Sequence, residues 1–342
     1  MIIKNNRNAP TLVDVAREAG VSLKTASRVL NGSTSVKENK AIKIREVMSR
    51  LGYRPNELAR GLKARKSAAI GMIVPNLSDP FIASAVKAVQ EVARANGYVV
   101  ILASSGGYPD VERSEVESLV GRQIDGLVIA PADSRNSNFS DVIPSGLQVV
   151  TFDQPIRKSG FDVITVANRR ITREATQHLL SHGFRRIVAI GARPHIYTCS
   201  ERVAGYRDAL RHVSLEPRTC LVEHESVLTR DWLSEFAFKK HKADAIICLN
   251  WVCTMLTLRA LRQLGKEPGR DVPLLSFDDF ELADMLTPGI SAVRQPAARF
   301  GYEAARLLFE RLNGKAPEQS VSLVLPTELI LRESCGCNKS SN

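Results

Sequence analysis

No run of about 18 consecutive apolar residues occurs anywhere in the 342-residue chain, which excludes an ordinary membrane-spanning helix. The opening residues, MIIKNNRNAPT, carry neither the apolar core nor the cleavage site of an export signal, so a cytoplasmic protein is expected. Cysteine is scarce, which argues against a disulfide scaffold. Cys199, Cys220, Cys248 and Cys253 are scattered and read as small core residues. Cys335 and Cys337 stand two apart beside a polar tail. No His or second Cys pair is near them in sequence, so they read as residues of a frayed chain end rather than a metal pair. Catalytic constellations are also missing. His182, His195 and His212 lack metal-ligand spacing. His195 with Cys199, and the Asp278-Asp279 pair, lack an orienting group and an oxyanion site. SSGGYP at 104–109 matches neither a P-loop nor a dinucleotide fingerprint. No catalytic residue, metal or cofactor is therefore expected.

Acidic residues are sparse in one place only. Through Lys66 there are fifteen Lys and Arg against five Asp and Glu, a net charge of +10, while the rest of the chain carries +1. A basic arm on a nearly neutral body points to a polyanion held by one end of the molecule. The arm also has helical periodicity, which a basic solubility tail would lack. In TLVDVAREA, Thr11 and Asp14 form a capping box, Leu12, Val15, Ala16 and Ala19 share a face, and Gly20 ends the helix. Ser22 caps a second helix running to about Asn31-Gly32, and a third spans about Lys37 to Leu51, with Ala41, Ile44, Val47, Met48 and Leu51 inward. Two short helices across a Gly turn make a helix-turn-helix. Its second helix would place Leu23 against a thymine methyl, Lys24 on a guanine or phosphate, Arg28 on a guanine, and Thr25 and Ser27 on phosphates. In LGYRPNELARGLKARKS, Pro55 suits the first turn of a fourth helix too short to stand alone. An exposed Leu62 there is either a minor-groove wedge or an incidental residue of a basic linker.

From Ser67 on, apolar runs alternate with helix-like stretches: AAIGMIVP, YVVILAS, DGLVIAP, LQVVTFD, RRIVAIG, DAIICLN and VPLLSFDD, with helices such as Phe81 to Asn96 and Val111 to Arg122 between them. Such alternation predicts parallel sheets covered on both faces, and the strands are too many for one modest sheet. Ligands in such folds bind beyond the carboxyl ends of strands. Asp79, Phe81, Asp153, Asn250 and Asp278 stand there; each alone reads as a loop or cap residue.

TLVDVAREAGVSLKTASRVLNG, LGYRPNELARGLKARKS and IGMIVPNLSDPF, followed by DGLVIAP, ERVAGY, SFDD and VRQP, resemble the LacI/GalR family of bacterial transcription regulators over nearly the whole chain. The resemblance implies an N-terminal all-α helix-turn-helix with a hinge helix, then an α/β periplasmic-binding-protein-like sensor of two subdomains with parallel sheets. The expected domains are 1–53 for DNA binding, 54–67 for the hinge, 68–166 plus 293–326 for the first sensor subdomain, and 167–292 plus 327–342 for the second. The expected DNA-binding residues are Thr11, Ser22, Leu23, Lys24, Thr25, Ser27, Arg28, Asn31, Tyr53, Asn56, Ala59, Arg60 and Leu62. The expected effector residues are Asp79, Phe81, Asp153, Arg202, Asn250, Trp251, Asp278 and Gln295. Carboxylates, amides and a guanidinium suit adjacent hydroxyls, and an aromatic face covers the apolar side of a sugar ring. The resemblance thus implies a repressor of a palindromic operator in double-stranded DNA, controlled by a carbohydrate or related polyol, and a homodimer, with a tetramer left open. Whether the effector is an inducer or a corepressor is also left open. The competing readings are a periplasmic-type sugar receptor and an effector-independent DNA-binding protein. Three departures bear on the ligand: Trp251 after Asn250, Ala167 before Asn168, and Ser276 before Phe277.

Overall fold

The structure, a computed structural model, describes residues 10–30, 32–33, 35–54, 67–139 and 141–337. The DNA candidates Asn31, Asn56, Ala59, Arg60 and Leu62, and nearly all of the expected hinge helix, lie outside the described residues. The chain divides into two compact units, 1–67 and 68–342.

The first unit contains α1 (Leu12–Ala19), α2 (Leu23–Leu30) and α3 (Glu38–Leu51). Thr11 N–H donates to Asp14 Oδ2 at 2.9 Å and Asp14 N–H to Thr11 Oγ1 at 3.3 Å, the reciprocal cap that starts α1. Gly20, left-handed at φ 68°, stops it. The Ser22 hydroxyl accepts from Thr25 N–H at 3.2 Å and opens α2. Val15, Ala19, Val29, Ala41, Ile44 and Val47 form the small core, with Leu12, Met48, Leu51 and Tyr53 packed on it half-buried.

The second unit runs β1 (Ala69–Val74), α4 (Pro80–Ala95), β2 (Val99–Ser104), α5 (Pro109–Gly121), β3 (Gly126–Ile129), β4 (Gln148–Phe152), β5 (Asp162–Val166), α6 (Asn168–Ser181), β6 (Ile187–Ala192), α7 (Tyr197–Arg211) and β7 (Arg218–Val222). It continues with α8 (Arg230–Leu233), which runs into a π-helical turn at Ser234–Lys240, then β8 (Ala245–Cys248), α9 (Trp251–Gln263), β9 (Leu274–Phe277), β10 (Ser291–Arg294), α10 (Ala297–Leu312), β11 (Ser322–Leu325) and β12 (Glu328–Ile330). The strands make two six-stranded sheets, ordered β11-β5-β4-β3-β1-β2 and β12-β10-β9-β8-β6-β7. All pairings are parallel except β10 with β12 at the edge of the second sheet. β1 (AIGMIV) and β6 (IVAIGA) are apolar throughout because both faces are covered.

The chain passes between the sheets three times, after β5, after β10 and after β11. The second passage, expected after residue 292, falls beyond Arg294: Val293 pairs with Phe277 and Leu329, and Arg294 with Glu328, so both remain in the second sheet. The helices that follow pack closely. A Cβ at Gly301 of α10 would lie 2.0 Å from the Ala85 carbonyl oxygen of α4, and one at Gly205 of α7 would lie 2.1 Å from the Arg169 carbonyl oxygen of α6. The expected frayed end is instead built into the second core. Cys335 is fully buried in a short turn, Glu333–Cys335. Ser334 holds that turn, donating from its hydroxyl to Leu274 O at 2.6 Å and accepting from Ser291 N–H at 2.8 Å. No helix among the described residues is long and apolar enough to cross a membrane.

Candidate functional site

A cavity of about 410 Å³ opens where the carboxyl ends of both sheets meet, and all eight expected effector residues line it. Asp79 follows β1 and caps α4, its Oδ1 accepting from Phe81 N–H at 2.9 Å. The Phe81 ring meets Phe300 edge-on at 5.1 Å, which fixes its orientation. Asp153 follows β4 and Asp278 follows β9. Asn250 follows β8 and caps α9 by accepting from Cys253 N–H at 2.7 Å. Trp251 opens that helix, lines the cavity and packs on the edge of the second core. Its backbone N–H donates to Asp278 Oδ2 at 3.3 Å, and Gln295 Nε2 donates to Asp278 Oδ1 at 2.5 Å.

Arg202 is the buried cation of the cleft. Its Nε donates to Asn168 Oδ1 at 2.8 Å, another of its guanidinium nitrogens donates to Leu249 O at 2.7 Å, and the group lies 3.5 Å above the Phe277 ring. Burial, with the charges of Asp278 and Asp79, raises the Asp153 carboxyl to about 7 against the pull of Arg202. Burial and Asp278 likewise raise Asp79 to about 6 against the Phe81 and Ile82 amides and Arg202. The cleft is thus a crowded set of carboxyls around one buried guanidinium, suited to exchanging hydrogen bonds with neutral hydroxyls.

Sequence reasoning missed Gln154, Arg193 and Glu225, which also line the cavity. Gln154 was legible as the neighbour of Asp153. Its Nε2 donates to Pro131 O, while its Oε1 is buried without a partner among the described residues; Gln295 Oε1 is in the same position. Two unmet acceptors in one cleft suit a ligand rich in O–H or N–H donors.

The rejected catalytic groups have structural uses. Asp279 is tied by Arg294 and Arg332, each at 2.7 Å, and these cations outweigh burial to hold its carboxyl below the usual range. Burial raises the Cys199 thiol to about 11, which removes it as a nucleophile near neutrality. Ser276 fills a buried niche, its hydroxyl 2.8 Å from Thr254 Oγ1.

In the first unit, α2 leaves Leu23, Lys24 and Arg28 exposed on one side, Leu23 at 49%, with Thr25 and Ser27 half-buried. Thr11 and Ser22 are committed to helix caps through their hydroxyls, and Tyr53 packs on the small core.

Residues 11–56 match the family described as bacterial regulatory proteins, lacI family, and residues 176–335 match the periplasmic binding protein-like domain. The HTH-type transcriptional regulator PtxS of Pseudomonas putida is 30% identical over 315 residues, covering 91% of each chain. The transcriptional regulator CelR, solved with cellobiose, is 28% identical with a TM-score of 0.68 and covers 95% of this chain and 99% of its own. The lac repressor dimer bound to operator and the anti-inducer ONPF shares the fold, with a TM-score of 0.83 at 22% identity over 96% of this chain and 99% of that one. Their described roles are regulatory rather than enzymatic.

Proposed function

The chain belongs to the LacI family of bacterial regulatory proteins, and from that premise we propose that it is a cytoplasmic, non-enzymatic repressor working as a dimer on a palindromic operator under the control of a carbohydrate or related polyol. The convergence of Asp79, Asp153, Arg202, Asn250, Asp278 and Gln295 on one cleft carries the effector reading. Phe81 and Trp251 supply the aromatic surface that a sugar ring needs beside its hydroxyl partners. The named complex of CelR with cellobiose supports the same class.

On the DNA side, Arg28 presents two donors for a guanine edge, Lys24 a cation, and Leu23 an apolar contact for a thymine methyl. One helix-turn-helix discriminates weakly, whereas two related by symmetry read a palindrome. The lac repressor is a dimer on its operator, which supports that arrangement. Exposed Met255 and Leu286, which line one surface groove, and the sequence neighbours Leu282 and Met285, with Met285 at 75%, offer apolar surface to a second copy. Each ligand shifts the affinity for the other only through a difference between two arrangements of the sensor, and that coupling is reciprocal.

The test is thermal unfolding against pentoses, hexoses, sugar acids, sugar phosphates and purines. A ligand at about 100 times its Kd stabilises by about 2.7 kcal/mol, enough to move the transition visibly. A sugar hit that also shifts operator affinity supports the proposal. A purine hit with every sugar silent overturns the effector class.

A further inference from the structure

We propose that His178, His182, Cys335 and Cys337 form a structural tetrahedral site for a thiophilic divalent cation, with zinc the best match. The four residues come from two places far apart in sequence. His178 lies in the last turn of α6, and His182 caps its end one turn later. Their rings sit edge to face at 4.7 Å. Cys335 and Cys337 flank Gly336, whose left-handed backbone (φ 94°) turns the chain tightly between them. The fold closes this tail against α6.

The ligand atoms of His178, Cys335 and Cys337 all lie within 4.8 Å of one another, and His182, which approaches Cys337, would turn inward to supply the fourth. Cys335 Sγ lies 3.2 Å from His178 Nε2, Cys337 Sγ lies 3.5 Å from His178 Nε2 and 3.4 Å from His182 Nε2, and the sulfurs are 3.4 Å apart. Zinc bonds of about 2.3 Å to sulfur and about 2.0 Å to nitrogen place tetrahedral ligands roughly 3.3–3.8 Å from one another. Two thiolates with two imidazoles select zinc over hard cations such as magnesium or calcium, and four protein donors make a closed site rather than a catalytic one.

The surroundings are already fixed. Hydrogen bonds of Ser334 with Ser291 and Leu274 hold the turn, and Gly289 N–H donates to Glu333 Oε2 at 3.0 Å. The metal would fasten the Cys335–Cys337 segment to the last turn of the helix whose first residue, Asn168, holds Arg202 in the cleft. It would therefore stabilise the second half of the sensor and need not contact the effector. This site is independent of the effector reading.

The experiment uses the full chain, without a histidine tag, purified under reducing conditions and dialysed against metal-free buffer after loading with zinc. Mass spectrometry of the metal content is expected to find about one zinc per chain. Cys335 is a core residue, so the variants are placed at the rim: Cys337→Ser and His182→Ala should each reduce retained zinc to a small fraction, while the exposed, remote His195→Ala keeps it. Cobalt in place of zinc should give thiolate-to-metal absorption in the wild type that both rim variants lose. Circular dichroism establishes that the variants are folded. Chelation should lower the Tm of the wild type by several degrees and leave the variants unmoved. Little zinc retained by the reduced wild type, or equal retention by folded Cys337→Ser and His182→Ala, overturns the site.

Discussion

Asp153 and Asp278 occupy matching positions in the two halves of the sensor. Each is the first residue after its strand, β4 or β9, and each has a left-handed backbone, with φ 68° and 79°. Asp153 N–H donates to Ile164 O at 2.9 Å on β5, and Asp278 N–H donates to Val293 O at 3.0 Å on β10. The neighbouring strand thus holds each residue in a strained turn that aims its carboxyl into the cleft. Their charges face each other, and this opposition contributes to the raised Asp153 carboxyl.

That proximity makes stability depend on pH with a definite sign. Burial lifts the Asp153 carboxyl from an ordinary 3.8 to about 7, so the folded state holds the proton more tightly than the unfolded chain. The contribution is full below the unfolded value and disappears as pH rises through the folded one. Without effector, the Tm of the wild type should therefore fall relative to Asp153→Asn between about pH 4 and 7. Parallel Tm curves for the two proteins across that window would remove Asp153 as the source.

Arg202 is the counterweight to those carboxyls. Arg202→Ala should destabilise the sensor by on the order of 3 kcal/mol, because it strands the Asn168 and Leu249 acceptors and takes a cation away from buried acids. Effector binding should disappear with it. Calorimetry with the identified effector checks both effects in one preparation.

Arg28→Ala should lose about 1–3 kcal/mol of preference at one base pair of each half-site. Lys24→Ala, if Lys24 meets a phosphate, should weaken binding evenly across sequences and flatten the salt dependence. Gel-shift titrations on a library of operator variants separate the two patterns.

Gly301→Ala should be destabilising by about 1–3 kcal/mol or more, since the new methyl meets the Ala85 carbonyl rather than a movable side chain. Denaturant unfolding reads this directly. Gly314→Ala is a control of a different kind: its Cβ has open space, and only the left-handed φ of 64° opposes it.

Met285→Asp should move the protein from dimer toward monomer, since it places a charge on that exposed apolar surface. Sedimentation velocity at several concentrations measures the shift. Retention of the full dimer would put the interface elsewhere.

What the sequence disclosed followed the strength of its local signals. The capping box at Thr11 and Asp14, the Gly20 stop and the continuous apolar runs of β1 and β6 each have a local cause, so they could be read from neighbouring residues. β7, β11 and β12 are short and mixed in polarity; their pairing with distant strands supplies what propensity does not. The cleft residues were legible only through resemblance, because Arg202 and Gln295 become neighbours of Asp153 and Asp278 by folding alone. The His and Cys cluster was misread for the same reason: 157 residues separate His178 from Cys335.

The three passages between the sheets also constrain how this protein is made. Phe300 and Leu308 of α10 belong to the first core, and β11 lies at the edge of the first sheet beside β5. A ribosome that has released residues 68–166 has therefore delivered a half with its hydrophobic face open, and closure waits for α10 and β11. The second half likewise lacks β12 and Cys335 until residues 328–335 emerge. The first half can close only at β11 and the second only at β12 and Cys335, so synthesis leaves an extended interval in which apolar surface is exposed to holding factors and proteases. Truncations that remove the chain from α10 onward should consequently damage both halves at once.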